Sequence, residues 1–383
     1  MSLLNHITLL LKLGIMSERP RARDVGITVG ELSPGTTNSI CDVDEVLVGH
    51  YTIIKGKGKL IPGKGPIRTG VTVILPHKGN LFKEKVRAAC YVINGFGKPI
   101  GLIQLEELGT LETPIALTNT LNVGIVADAI IEYMLELNED IGITTGTVNP
   151  VVLECNDGYL NDIRGRHVKS LHVFEAIKRA KPNVEEGCVG AGTGMRSFGW
   201  KSGIGTSSRK LPNKLGGYVI GALVLSNFGK MTDLRIMGAP VGKELAKMYR
   251  SMEHGGKSEG SIVVIIATNA PLNSRQLKRL AKRACHGIAR VGGYSYHGSG
   301  DFVIAFSTSN RVKHYCSETT FKEEILCEEL LSLFFKAVVE ATEEAILNSL
   351  FKSITMDGRD YHVVHAIPVD EVLGIIRKYR LLN

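Results

Sequence analysis

The sequence has no C-x-x-C pair, no H-E-x-x-H, no apolar run long enough to cross a bilayer and no block of like charge. Each absence removes a class of protein. Without paired cysteines, a zinc ribbon, a thioredoxin-type centre and a dense disulfide framework lose their basis. The seven cysteines (Cys41, Cys90, Cys155, Cys188, Cys285, Cys316 and Cys327) are scattered and odd in number, and read as buried free thiols of a reducing compartment. His362 and His365 stand three apart in an apolar, strand-like run, where packing is expected before metal ligation. Proline is scarce, at 13 residues, and the 43 glycines in 383 follow no Gly-X-Y period. They mark tight turns and close backbone approaches rather than a linker or a collagen.

Targeting signals are missing too. Residues 1–15 (MSLLNHITLLLKLGI) are too short an apolar stretch to span a membrane and lack the basic start and small-residue cleavage site of a secretory signal. A second methionine, Met16, leads into a very polar SERPRARD stretch, so residues 1–15 read as a loose N-terminal extension or a start-site artefact. A cytoplasmic protein without membrane attachment is expected. Lys and Arg number 46 against 38 Asp and Glu, a net charge of +8, but the excess is not concentrated. Its densest stretch, Arg275 to Arg290, also carries Leu277, Leu280, Ala281, Ala284 and Ile288 at helical spacing, which predicts an amphipathic helix with a solvated basic face. No aromatic ladder accompanies it, so no nucleic-acid partner is expected.

What is present is a folded chain, 44% hydrophobic and 22% charged, long enough to bury a core without staples. Apolar runs broken by Gly, Pro and Lys over residues 36–77 predict a hairpin around a basic, glycine-rich loop. Short strands are predicted at 101–105 and 114–118, then a helix over 123–138 with Thr120 and Asn122 as candidate caps. Residues 144–155 read as extended, 167–181 as helix, 216–226 as a buried strand and 241–252 as helix. The last third alternates strand 261–268, helix 274–290, strand 302–308, helix 321–349, strand 361–367 and helix 369–380. With neither repeat nor low-complexity linker, one layered α/β domain over 16–383 is predicted.

Three familiar signatures fail. In the glycine-dense segment 187–209, Met195 stands where a dinucleotide fingerprint needs glycine, and Trp200 separates Gly199 from Lys201 where a phosphate loop needs them adjacent. Gly256-Lys257-Ser258-Glu259-Gly260 matches G-x-S-x-G, but with a helix before it and a strand after it, the reverse of a nucleophile elbow. That reversed context suits another chemistry. A serine that opens an apolar strand directly after glycine can attack the carbonyl preceding it; cleavage then frees an α-amine of pKa about 8, attached to its own nucleophile. Alone, Gly260-Ser261 reads first as a turn before a strand, the commoner use of such a pair.

Further matches run from about residue 21 to 370. They are Arg21-Ala22-Arg23-Asp24 with Gly26-Ile27, Asn38-Ser39-Ile40, Val48-Gly49-His50, Arg68-Thr69-Gly70-Val71-Thr72, and Leu111-Glu112-Thr113-Pro114-Ile115 with Thr118-Asn119-Thr120. Then come Glu154 to Asp162 (ECNDGYLND), Gly190 to Met195, Gly203 to Arg209, and Gly260-Ser261. In these motifs and their order the chain resembles the DmpA family of self-processing aminopeptidases (L-aminopeptidase/D-esterases and β-aminopeptidases).

The resemblance implies a four-layer αββα sandwich of the N-terminal-nucleophile hydrolase kind, cut between Gly260 and Ser261 into an α-segment (16–260) and a β-segment (261–383). Ser261 would be the nucleophile, Asn227 an oxyanion donor, and Ser299 and Asp301 would orient the hydroxyl or the freed amine. Glu154 or Tyr159 would face the substrate's ammonium or the oxyanion, although Asn156-Asp157-Gly158 also reads as a plain turn. The family needs no metal or cofactor, acts on short peptides, amides or esters, and forms homo-oligomers; a tetramer is expected. Cys155 departs from the family where a small hydroxyl residue is expected. Two other readings are an acyltransferase of the ornithine-acetyltransferase kind, which presents threonine rather than serine at the cut, and an unprocessed binding protein on the same scaffold.

Overall fold

A computed structural model describes residues 19–249 and 260–382. Residues 1–15, the end of the predicted helix 241–252 and most of the G-x-S-x-G stretch lie outside the described residues.

The strands are β1 (Leu47–Lys55), β2 (Ile67–Leu75), β3 (Glu84–Gly95), β4 (Thr110–Leu111), β5 (Ile115–Asn119), β6 (Val151–Cys155) and β7 (Arg196–Ser197). They continue with β8 (Trp200–Lys201), β9 (Ile204–Lys210), β10 (Val219–Asn227), β11 (Ser261–Thr268), β12 (Gly300–Lys313), β13 (Met356–Asp357) and β14 (Val363–Val364). The helices are α1 (Leu102–Leu108), α2 (Val123–Leu137), α3 (Ser170–Lys178), α4 (Val241–Met248), α5 (Ser274–Arg290), α6 (Leu331–Phe351) and α7 (Val369–Lys378).

Two sheets carry the fold, one ordered β1-β2-β5-β6 and one ordered β4-β3-β12-β11-β10-β9. The period of two along each strand sorts their side chains into separate cores. On β11, Val263, Ile265 and Ala267 join Leu223 and Leu225 of β10 and Leu117 and Leu153 of the smaller sheet in a core between the sheets. Ile262, Val264 and Ile266 point the other way, into a core shared with α5 and α6. The smaller sheet has its own outer core, where Val71, Val73 and Val152 meet Val126 and Ile130 of α2 and Val173 of α3. Three cores separate four layers, helix, sheet, sheet, helix. This is the sandwich that the family resemblance implies, and strands buried on both faces explain why β11 reads as an unbroken apolar run.

Strand 261–268 and helix 274–290 fall where the sequence predicts them. Asn273 caps α5, its side chain accepting from Gln276 N. Elsewhere the structure corrects the reading. Residues 101–105 are not a strand: Leu102–Leu108 is a helix closed by Gly101 and Gly109, both at positive φ. Seven residues are too few for periodicity to separate the two. Helix 321–349 starts only at Leu331, because Leu326 is held by Pro271 O and by Gln276, while Glu328 is tied to Arg275 and Arg279. Strand 361–367 shrinks to Val363–Val364, strand 302–308 lengthens to Gly300–Lys313, and extended chain over 144–155 forms ladder only at Val151–Cys155. At α2 the side chain that accepts a backbone N–H is Asn119, on Leu121 N, while Thr120 and Asn122 bond elsewhere. The basic face of α5 is solvent-exposed as expected, and its Arg275, Lys278, Arg279 and Arg290 meet Glu328, Glu106 and Glu343 at the surface. All seven cysteines are free, but only Cys90 and Cys155 are buried.

Candidate active site

The order β10-β11-β12 sets the site. Ser261 is the first residue of β11, and its antiparallel partner on β10 is Asn227, the last residue of that strand. Period-two alternation puts Ser261 in line with Val263 and Ile265, and Asn227 in line with Leu223 and Leu225. Both side chains therefore issue into the space between the sheets, at its end. Each retains 7% of its surface. The Ser261 hydroxyl accepts a hydrogen bond from Gly300 N at 3.1 Å, which fixes it against β12.

β12 runs parallel to β11, pairing Asp301 with Ile262. Asp301 Oδ1 accepts from Ile262 N at 3.2 Å and Oδ2 accepts from Ser299 Oγ at 2.9 Å. Ser299 Oγ also lies 2.8 Å from Tyr296 O, a carbonyl that receives Ser299 N and Asn94 Nδ2 as well. The Ser299 hydroxyl thus has two acceptors within reach, Tyr296 O and Asp301 Oδ2. Burial raises the Asp301 carboxyl above its ordinary value, and hydrogen bonds from Ser295, Ser299 and Ile262 N hold it back. Asn94, on β3, donates to the carbonyls of Tyr296, His297 and Ser299, and so ties down the whole turn before β12.

Asn227 is clamped at both ends of its amide. Oδ1 accepts from Arg196 N at 3.0 Å, and Nδ2 donates to Asn156 O at 3.0 Å. This fixes which end is nitrogen and leaves its second N–H for a developing oxyanion.

Glu154, next to last on β6, is buried; it accepts from Lys98 N at 3.0 Å and from the Thr120 hydroxyl. Gly97 separates it from the start of β12: a Cβ there would stand 2.4 Å from the Phe302 ring and 3.2 Å from Glu154 Oε1, and Gly97 also lies against Gly300. Tyr159 is held further out, its ring stacked on His362 at 4.4 Å and covered by the Arg196 guanidinium at 3.7 Å. Burial pushes the Cys155 thiol well above its ordinary value, and its Sγ bonds Leu225 O, so the residue that departs from the family is packing between the sheets. His362 is stacked and bonded to Tyr159 O, in keeping with the packing role expected for it.

Sequence reading brings together Ser261, Asn227, Ser299 and Asp301. It misses Arg196, Asn94 and Gly97. Arg196 follows the Gly190–Met195 motif and could have been suspected from that neighbour; Asn94 carries no local signal, because only the β3–β12 pairing brings it to the site. Among the described residues, no group of three or more His, Cys, Asp or Glu is arranged to hold a metal ion.

A serine opening a central strand of a two-sheet, four-layer core defines a hydrolase scaffold of the N-terminal-nucleophile type. The chain belongs to peptidase family S58, whose sequence pattern matches residues 38–364. It is 41% identical over 378 residues to the β-peptidyl aminopeptidase BapA of Sphingosinicella microcystinivorans, covering 96% of this chain and 94% of that one. In structure it is similar to the PH0078 protein from Pyrococcus horikoshii OT3 (TM-score 0.89, 58% identity, 95% of this chain and 100% of that one). It is likewise similar to the L-aminopeptidase D-Ala-esterase/amidase of Ochrobactrum anthropi, a prototype of the serine aminopeptidases and a variant of the Ntn hydrolase fold (TM-score 0.88, 36% identity, 95% and 100%).

Proposed function

We propose that this chain is a self-processing serine aminopeptidase that removes the N-terminal residue of short peptides, amides or esters through an acyl-enzyme on Ser261. The observation that carries the reading is the seating of Ser261 between Asn227 and the Gly300–Asp301 start of β12. Processing begins when the Ser261 hydroxyl attacks the Gly260 carbonyl carbon. The peptide C–N bond breaks, an ester forms, the serine nitrogen leaves as the amine, and water hydrolyses the ester. A glycine suits that position, since a Cβ on residue 260 would stand 2.3 Å from Asn227 O and 2.8 Å from Phe228 Cα.

In turnover, the freed amine accepts the hydroxyl proton as Ser261 attacks the substrate carbonyl, and Asn227 Nδ2 donates to the oxygen that becomes negative. Asp301 stands one peptide unit from the amine and, with Ser299, stabilises its protonated form. The proton then passes to the leaving nitrogen, and water clears the acyl group. Glu154 or Tyr159 receives the substrate's own ammonium; Glu154, a buried carboxylate two hydrogen bonds deep, is the better suited. A homo-oligomer in the cytoplasm, needing no metal or cofactor, follows from the family resemblance.

The test is mass spectrometry of the purified protein followed by an alanine p-nitroanilide assay. The reading requires a fragment beginning at Ser261 and anilide hydrolysis. A single intact chain without hydrolysis overturns it, and acetyl transfer from an acetylated amino acid in place of hydrolysis favours the acyltransferase.

A further inference from the structure

Among the described residues, Arg196 has no anion beside it. It sits in the wall of the site, its guanidinium spread over the Tyr159 ring at 3.7 Å and hydrogen-bonded to that side chain. Among the described residues no carboxylate pairs with it, whereas the deeply buried Arg68 and Arg209 pair with Asp357 and with Glu340 and Glu344. Burial lowers the Arg196 pKa, with only Tyr159 opposing, so its charge is poorly compensated. Most of its N–H donors, arranged in a planar fork, make no hydrogen bond within the described chain.

Its position is set by the clamp on Asn227. Arg196 N holds the Asn227 oxygen, Asn156 O holds the Asn227 nitrogen, and the guanidinium reaches from the first of these segments to Tyr159, three residues along the second. The charge thus spans the two segments that grip the oxyanion donor. His362, stacked at 4.4 Å, backs the tyrosine ring from its other side and fixes the plane on which the fork lies.

We propose that Arg196 receives the free C-terminal carboxylate of the substrate's leaving half, so that unblocked dipeptides are the preferred substrates over amides and longer chains. This rests on the aminopeptidase reading above. In a dipeptide the carboxylate carbon lies only about 2.5 Å from the leaving nitrogen, two bonds away. The group that recognises it must lie on the segments around the oxyanion donor: the Arg196 backbone is bonded to Asn227, and its guanidinium reaches to Tyr159 on the segment whose Asn156 carbonyl holds Asn227. A guanidinium fork meets a carboxylate with two parallel hydrogen bonds, and a carboxamide leaves that fork facing a donor. In a longer peptide the same position holds a neutral amide.

The experiment uses the processed, full-length enzyme and compares kcat/KM for alanyl-alanine, alanyl-alanine amide and alanine p-nitroanilide. The expected result is a preference of tenfold or more for the free dipeptide over its amide, carried mainly by KM, which falls to about one in Arg196→Gln. Equal rates for acid and amide in the wild type, or an undiminished preference in Arg196→Gln, overturn the proposal. A second measurement does not depend on the variant folding: lactate, which has the leaving half's carboxylate but no amine to bind as substrate, should inhibit wild-type anilide hydrolysis at least tenfold more strongly than lactamide, and equal inhibition overturns the proposal. Failure of the aminopeptidase reading looks different, since neither processing nor anilide hydrolysis would then occur in the wild type.

Discussion

Asn227 and Ser261 are directly opposed residues of two antiparallel strands, one closing β10 and the other opening β11. The proposed oxyanion donor and nucleophile are therefore spaced by sheet register and not by loop conformation. Seven further pairs, from Ser226–Ile262 to Ile220–Thr268, lock that register, and a slip of β11 by one residue would turn the Ser261 side chain out of the space between the sheets. Gly300 N fixes the serine from the other neighbouring strand.

The serine itself is the first test. Ser261→Ala removes one oxygen from a nearly enclosed position and breaks only the bond from Gly300 N, so the fold should survive. We expect an uncut chain of full length with no anilide hydrolysis, read by denaturing gel and by assay. A cut at Gly260 in this variant would remove Ser261 as the processing nucleophile.

Asn227 offers a substitution of nearly equal shape. In Asn227→Asp an oxygen still accepts from Arg196 N, but the amide that donates to Asn156 O becomes an acceptor. Loss of one oxyanion donor typically lowers kcat about 10²- to 10³-fold. The same loss is expected here, with KM little changed and the melting curve close to wild type. Activity within threefold of wild type would transfer the role to another donor.

Gly260 separates processing from turnover. In Gly260→Ala the new methyl has to move the Asn227 or Phe228 backbone, since it would otherwise stand 2.3 Å from Asn227 O. Processing should slow at least tenfold, followed as the disappearance of the uncut chain after synthesis. Once cut, the variant has the same Ser261 N-terminus as wild type, and its rate per cut chain should match. Processing at the wild-type rate would show that the backbone yields there without penalty.

The parts of this structure that were legible in the sequence are those decided locally. β11 and α5 have long, consistent patterns with caps and breakers at their ends, and were read to the residue. Leu102–Leu108 was misread because seven residues between two glycines present too little period, and Phe321–Leu330 because its backbone and acidic side chains are claimed by α5 and its approach, far back in the chain. The site divides the same way. Ser261 announces itself by Gly260 and the strand after it, and Asn227, Ser299 and Asp301 came with the family's motifs. Asn94 and Arg196 matter only because β3 lies beside β12 and because Asn227 needs a partner at each end of its amide.

Asp157 ties the loop after β6 to a pH window. It is wholly buried, follows the residue whose carbonyl holds Asn227, and its Oδ1 accepts from Asn161 Nδ2 at 2.9 Å. Burial pushes its carboxyl up to about 7, against Thr69, Asn161 and Asn119, which favour the charged form. In the unfolded chain the same group titrates near 4. Between those values the folded chain holds the extra proton, so this group's contribution to stability falls as pH rises from about 4 to about 7 and stays lower above that. Asparagine has no proton to lose and keeps the acceptor for Asn161. Asp157→Asn should therefore gain on wild type between pH 5 and pH 8, by at most about 3 kcal/mol, in denaturant unfolding of the unprocessed Ser261→Ala background. A difference between the two chains that stays constant over that range would mean that Asp157 is already charged at pH 5, its burial compensated by the surrounding amides.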